Sequence, residues 1–251
     1  MRISNWDNSG PANWDPKQKA PIDPFNTARF NVQPVDQALS GPAYQQNRSL
    51  KQAAVPVLVL LAFMWGIYIF ESVTRIDLTA LLGIHAGRMS SLWNIFTYSF
   101  EHLNFPHIMN NTWPFLILGT LISKEGQARY LWVSLAGTVV GGLGVWLLSP
   151  QNSVTVGASG GVFAYFGYLI TAAIVEKNSS QRAGRIGVAV AVGIFYGSSM
   201  LFSLIPRADV SWQGHLLGAV GGVLAAIIIE GNEARQLKAA QNQPQIFPPR
   251  H

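Results

Sequence analysis

Ser159 stands in the run Gly157-Ala158-Ser159-Gly160-Gly161, at the head of the apolar stretch from Val162 to Val175. A hydroxyl between glycines at the mouth of an apolar helix serves either a close backbone approach or its own chemistry. A second apolar stretch opens with Trp212-Gln213-Gly214-His215 and runs through Gly218 and Gly222. A third opens with the segment EHLNFPHIMNN, which carries His102, His107 and Asn111. An imidazole can take the proton of a serine hydroxyl while Oγ attacks a carbonyl, so Ser159 and His215 suffice in kind for acyl transfer. The oxyanion that develops needs preorganised donors, each worth roughly 3 kcal/mol. His107 and Asn111, four apart and so on one helix face, are suitable, together with the Ser159 backbone N–H at a helix N-terminus. His102 falls off that face or into the loop before it. His215 has no evident acidic partner; Asp209 is nearest in sequence but lies across a loop.

Blander readings compete. A serine in a membrane helix usually bonds back to its own backbone, and a histidine more often satisfies an interior partner than catalyses. Histidines also bind metals, but no carboxylate pairs with His102 and His107 and no HExxH occurs, so no metal is expected. A transporter needs charges or broken helices near the midplane, and the apolar stretches carry almost no charge in their middles.

The elements that must hold these groups are membrane-like. Of 251 residues, 49% are hydrophobic and 12% charged, against roughly a quarter charged in a soluble domain. Mean hydropathy is +0.23 despite polar ends. There is no cysteine, which excludes disulfides and thiolate metal sites. A pI near 9.6 invites a nucleic-acid reading, but the basic residues flank hydrophobic spans, so topology is the better explanation and no nucleic acid is expected.

Residues 1–52 are rich in Pro, Asn, Asp and Gln without sustained periodicity, which predicts a disordered polar segment. No apolar run follows Met1 and Arg2, so it does not read as a signal peptide. Six spans follow within 53–230, near Ala53–Val73, His102–Ile122, Ala128–Leu148, Ser159–Val175, Ile186–Leu204 and Trp212–Ile229. Residues 231–251 form a polar tail. Thr74 to Tyr98 is too polar to span and too apolar to be free, which predicts a partly helical interfacial element anchored by Trp93 and Tyr98. Placing the N-terminus inside puts 14 of the 17 lysines and arginines in the cytoplasm and leaves Arg75, Arg88 and Arg207 outside. Both termini are therefore expected to be cytoplasmic, and Ser159, His215, His107 and Asn111 then share one level toward the outer side. Small residues at i, i+4 let helices approach: Gly214, Gly218 and Gly222, and Gly157 with Gly161, predict that the fourth and sixth spans touch along these stripes. Gly137/Gly141 and Gly193/Gly197 repeat the spacing elsewhere.

Three motifs in order, His102-x4-His107-x3-Asn111, Gly157-Ala158-Ser159-Gly160 and Gly214-His215-x2-Gly218-x3-Gly222, make residues 53–230 resemble the rhomboid family of intramembrane serine proteases. The resemblance implies an all-α integral membrane protein, a six-transmembrane-helix bundle that cleaves transmembrane protein substrates within the lipid bilayer without cofactor or metal. It implies Ser159 as nucleophile, His215 as general base and acid, and His107 and Asn111 as oxyanion donors. His102, Gly157, Gly160, Phe163 and Gly218 would be supporting residues, with Phe163 packed on the His215 ring. It also makes the Thr74–Tyr98 segment a membrane-embedded first loop and places the region after Leu204 on the substrate-gating side. Two positions depart from the family pattern: Asn94 follows Trp93 where Arg is frequent, and Ser123 stands where Glu is frequent. Both replacements remove charges that help to fix the loop and the second helix. A non-catalytic rhomboid-like protein binding transmembrane clients is the alternative, which would not need an intact Ser159/His215 pair. The N-terminus lacks transit-peptide character, and a prokaryotic plasma membrane is the expected location.

Overall fold

The computed structural model describes residues 48–177, 179–207 and 210–241. Residues 1–47 of the expected polar segment, the last ten residues of the tail, and Asp209 lie outside that set.

Among the described residues the long helices are α1 (Leu50–Thr74), α2 (Phe105–Glu125), α3 (Gln127–Leu148), α4 (Ser159–Val175), α5 (Ser179–Phe202) and α6 (Trp212–Gln241). By length and composition α1, α3, α5 and α6 can cross a membrane; α4 is apolar but shorter, at 17 residues. The chain is thus mainly helical, with four helices of spanning quality. Side chains such as Phe63, Trp132, Ile194 and Phe195 stand exposed, Phe195 by 78%, as a lipid-facing surface requires.

Local chemistry sets the helix starts. Ser49 and Gln52 form a capping box that opens α1. The Asn104 side chain accepts the His107 N–H at 2.9 Å and opens α2, with Pro106 in the first turn, where no intrahelical donor is needed. α2 therefore begins after His102, not at it. α5 starts at Ser179, ahead of the expected Ile186, and α6 runs on to Gln241, past the expected end of the last span.

α4 is buried on nearly all sides, from Gly160 to Ala173, as expected of a helix that is apolar all round. It packs closely on α3 and α6. The α4–α6 approach does not use Gly157 and Gly161. A Cβ at Gly218 would overlap the Gly160 carbonyl, and one at Gly222 would overlap the Ala164 carbonyl. Gly160 and Ala164 are therefore the α4 side of the contact. Gly157 precedes the helix, and Gly161 turns toward Phe115 and Gly137 of α3.

The Thr74–Tyr98 segment is partly helical, as expected, with a helical turn at Thr79–Leu82 and 3-10 helices at Met89–Phe96 and Tyr98–Phe100. Between them Ile84–His85 pairs antiparallel with Val154–Thr155, Ile84 opposite Thr155. That two-residue ladder fastens the segment to the loop leading into Ser159. Trp93 is exposed, as an anchor would be, but Tyr98 is buried. Its ring lies against Gly142 of α3 and its hydroxyl donates to the Thr138 carbonyl at 3.3 Å. Tyr98 is a floor beneath the serine loop, not an interfacial anchor.

Candidate active site

Ser159 is the first residue of α4 and His215 lies in the first turn of α6. The two helices approach so closely at Gly160–Gly218 that these starts are brought together. Ser159 Oγ and His215 Nε2 are 2.8 Å apart, within hydrogen-bond range. The other ring nitrogen, Nδ1, lies 2.9 Å from the Ser203 carbonyl oxygen just past the end of α5. Phe163, one turn into α4, stacks on the imidazole with centroids 4.3 Å apart and planes 7° from parallel. Ser159 is half-buried and His215 buried.

The loop before Ser159 is held at successive residues. Gly157 donates its N–H to the Tyr98 carbonyl at 2.8 Å, and Ala158 donates to His102 Nε2 at 3.3 Å. Gly157 has φ +115°, a conformation that side chains with a Cβ rarely adopt, and a Cβ there would come within 2.5 Å of His107 Nε2. A glycine is needed on both counts. This places the His107 ring over the loop two residues before the serine. The first N–H groups of α4 have no intrahelical acceptor, as at any helix start, and are free to face an anion.

His102 lies in the loop before α2, almost fully buried, with its ring edge-on to His107 at 5.0 Å between centroids. Asn111 is buried one turn after His107 and donates one amide hydrogen to the His107 carbonyl at 3.0 Å. That bond fixes the amide and leaves its second N–H to serve another acceptor. Among the described residues no carboxylate hydrogen-bonds His215, and no group of three or more His, Cys, Asp or Glu side chains is placed to hold a metal ion.

The two departures from the expected charge pattern have local answers. Asn94 is 3% exposed and donates to the carbonyls of Leu81 at 2.8 Å and Gly83 at 2.7 Å. Its amide fork pins the interfacial loop without a charge. Ser123 is buried and accepts the Arg48 guanidinium at both its carbonyl, 3.2 Å, and its hydroxyl, 3.3 Å. A cation before α1 thus meets the last turn of α2.

Sequence reasoning missed Tyr98 as a support, the Ser203 carbonyl, and Glu101. Glu101 is 1% exposed in the loop before α2 and accepts the Thr79 hydroxyl at 2.9 Å. Burial raises its carboxyl to about 7, the Thr79 hydrogen bond opposes the shift, and the nearby Glu71 and Asp77 charges add to it. In the sequence, Glu101 was legible only as a loop residue beside His102.

Comparison with known proteins points in one direction. A family model described as the rhomboid domain matches residues 89–231. An uncharacterized protein of Mycobacterium tuberculosis is 33% identical over 191 residues, 72% of this chain and 79% of its own. The Bacillus subtilis protein YdcA, whose name assigns it provisionally to the rhomboid proteases, is 27% identical over 157 residues, 62% of this chain and 74% of its own. Rhomboid-related protein 2 of Mus musculus is 29% identical over 139 residues, 52% of this chain and 46% of its own.

Proposed function

The chain belongs to the rhomboid family, and from that premise we propose that it is an intramembrane serine endopeptidase acting on transmembrane helices of other proteins. The observation that carries the proposal is the 2.8 Å approach of Ser159 Oγ to His215 Nε2, with the ring held flat on Phe163. Ser159 gives its proton to Nε2 as Oγ bonds to the scissile carbonyl carbon. The resulting oxyanion is taken by the Ser159 N–H, with His107 and the second Asn111 N–H as side-chain donors. Collapse of the tetrahedral species breaks the C–N bond, and His215 returns the proton to the leaving amine. Water, activated by the same nitrogen, then hydrolyses the acyl-enzyme and regenerates Ser159. The cycle uses side-chain and backbone groups alone, with neither cofactor nor metal. In this reading His102, Gly157, Gly160 and Gly218 are supports: His102 holds the serine loop, Gly157 admits the His107 ring over it, and Gly160 and Gly218 let α4 and α6 close.

The protein is an integral membrane protein, and in the proposed topology all six long helices cross, within a domain covering 53–230 between a polar N-terminal segment and a polar tail. Both termini face the cytoplasm of a prokaryotic plasma membrane, a location that the mycobacterial relative fits. Ser159 then opens toward the outer side. The 17 residues of α4 rise about 25 Å, short of the roughly 30 Å of hydrocarbon, so the serine is recessed below the surface. Substrate helices must unwind to reach it, and residues that weaken a helix are expected near the cleaved bond.

The test is covalent labelling of the detergent-purified protein by a serine-directed phosphonate, beside Ser159→Ala and His215→Ala. Labelling of wild type that disappears in both variants is the expected result. Unlabelled wild type, with a control membrane protease labelled in parallel, would overturn the protease reading in favour of a non-catalytic protein that binds membrane clients.

A further inference from the structure

We infer that the backbone carbonyl of Ser203 is a positioning group of this site, the third partner of the Ser159–His215 pair. The inference rests on the protease reading for its kinetic consequence but not for its geometry. A carbonyl oxygen only accepts, so its 2.9 Å contact with Nδ1 requires the proton on that nitrogen. Nε2 is then bare and faces the Ser159 hydroxyl at 2.8 Å, the state a general base must occupy before reaction.

The Ser203 carbonyl is free for this task. It follows the last residue of α5, where helix carbonyls lack intrahelical donors. The Ser203 side chain is turned away, its hydroxyl donating to the Ser199 carbonyl at 2.8 Å. Its N–H is spent on Ser199 and Met200. The end of a helix also carries partial negative charge, which favours a cation beside it. When Nε2 takes the serine proton, the imidazolium gains a charge-assisted bond at Nδ1. A main-chain oxygen therefore fills the place that an acidic side chain fills in a triad, at a site where no carboxylate bonds the histidine among the described residues.

The experiment replaces single amides by esters in the full-length protein, using an α-hydroxy acid in place of the following residue. An ester at Leu204 weakens the Ser203 carbonyl as an acceptor and also deletes the Leu204 N–H bond to the Leu201 carbonyl. An ester at Ile205 is the matched control: it deletes the Ile205 N–H bond to the Phe202 carbonyl and leaves the Ser203 amide intact. Phosphonate labelling rates and nitrogen-15 shifts of the labelled histidines are read together, with the His215 signals assigned by their loss in His215→Gln. The ester at Leu204 is expected to slow labelling about tenfold and to mix the two His215 tautomers. The Ile205 ester should retain both the rate and the Nδ1–H tautomer. Equal losses from the two esters, or a wild-type His215 protonated on Nε2, overturns the inference. Should wild type fail to label, the tautomer comparison still decides the carbonyl's role, so failure of the protease reading is distinguishable.

Discussion

The two ends of the helix bundle bury polar groups in opposite ways. At the serine end, Ser159, His215, His107 and Asn111 meet through neutral hydrogen bonds, rings and bare glycine backbone. At the other end, Arg129 of α3 and Arg185 of α5 gather Glu125 of α2, Glu230 and Glu233 of α6, and Glu176 just past the end of α4. Arg129 and Glu230 are 2.6 Å apart with side chains only 10% exposed, and the Tyr168 hydroxyl sits in the same cluster. Charges so desolvated are tolerable only when every one is matched, which makes the cluster a clamp on the register of α2, α3, α4, α5 and α6. In the proposed reaction, a permanent charge beside Ser159 would stabilise the resting state as much as the transition state. Neutral, prealigned donors favour charge only as it develops. One end fixes the helices; the other, in the proposed function, exploits how they are fixed.

Crossing the two ends breaks the comparison most sharply. Ser159→Ala is expected to lower the labelling or cleavage rate by about 10⁴-fold or more while leaving thermal stability unchanged. Arg129→Met should do the reverse. It leaves buried carboxylates short of a partner and costs about 3–5 kcal/mol, read as earlier thermal unfolding in detergent, while the folded fraction labels at the wild-type rate. A stable Arg129→Met protein, or a Ser159→Ala protein that unfolds early, would remove the division of labour.

Asn94 belongs to neither end and tests whether an uncharged staple can hold the interfacial segment. Asn94→Ala strips the donors from the Leu81 and Gly83 carbonyls, for a cost of about 2–4 kcal/mol. Proteolysis within 76–100 should accelerate before the helices unfold. Cleavage there at the wild-type rate would show that the pairing of Ile84–His85 with Val154–Thr155 holds the segment unaided.

The site was more legible than its supports, for a physical reason. Ser159, His215, His107 and Asn111 could be picked out as candidates because their side chains carry the chemistry and the helical period spaces them; Phe163 entered only through the family resemblance. The Ser203 carbonyl has no such signature, since every residue carries one. Tyr98 was open to misreading because an amphipathic ring near an interface suits an anchor as well as a floor. The overlapping repeats Gly157/Gly161 and Gly160/Ala164 share one spacing, and only the true start of α4 decides between them. Asn94 and Ser123 looked like losses because charge is visible in a sequence, whereas an amide fork on two carbonyls or a guanidinium arriving from Arg48 is visible only in space.

Glu101 sharpens the contrast by supplying the carboxyl nearest in sequence to the histidines. Its carboxyl is raised by burial from 4.5 to about 7. The folded state thus holds the proton more tightly than the unfolded chain. The stability this contributes is fully present below pH 4.5 and is lost as pH rises through about 7, a change of at most about 3 kcal/mol. The unfolding temperature should therefore fall between pH 5 and 8 in wild type, and Glu101→Gln should flatten that dependence. Parallel pH profiles for the two proteins would show that Glu101 titrates normally and is reached by water.

Phe163 gives the smallest expected effect and the finest discrimination at the serine end. Its face lies 4.3 Å from the His215 ring, and such stacking is worth about 1 kcal/mol beyond burial. Phe163→Leu keeps much of the apolar contact but removes the flat surface, so labelling should slow about fivefold while thermal stability changes little. Phe163→Tyr retains the face and should retain the rate. If leucine matched phenylalanine, the ring would be packing alone, and the orientation of His215 would depend on its two hydrogen bonds, one to the nucleophile and one to the end of α5. A slower leucine variant with a normal tyrosine variant would instead make the base a group held on three sides, by hydroxyl, carbonyl and aromatic face.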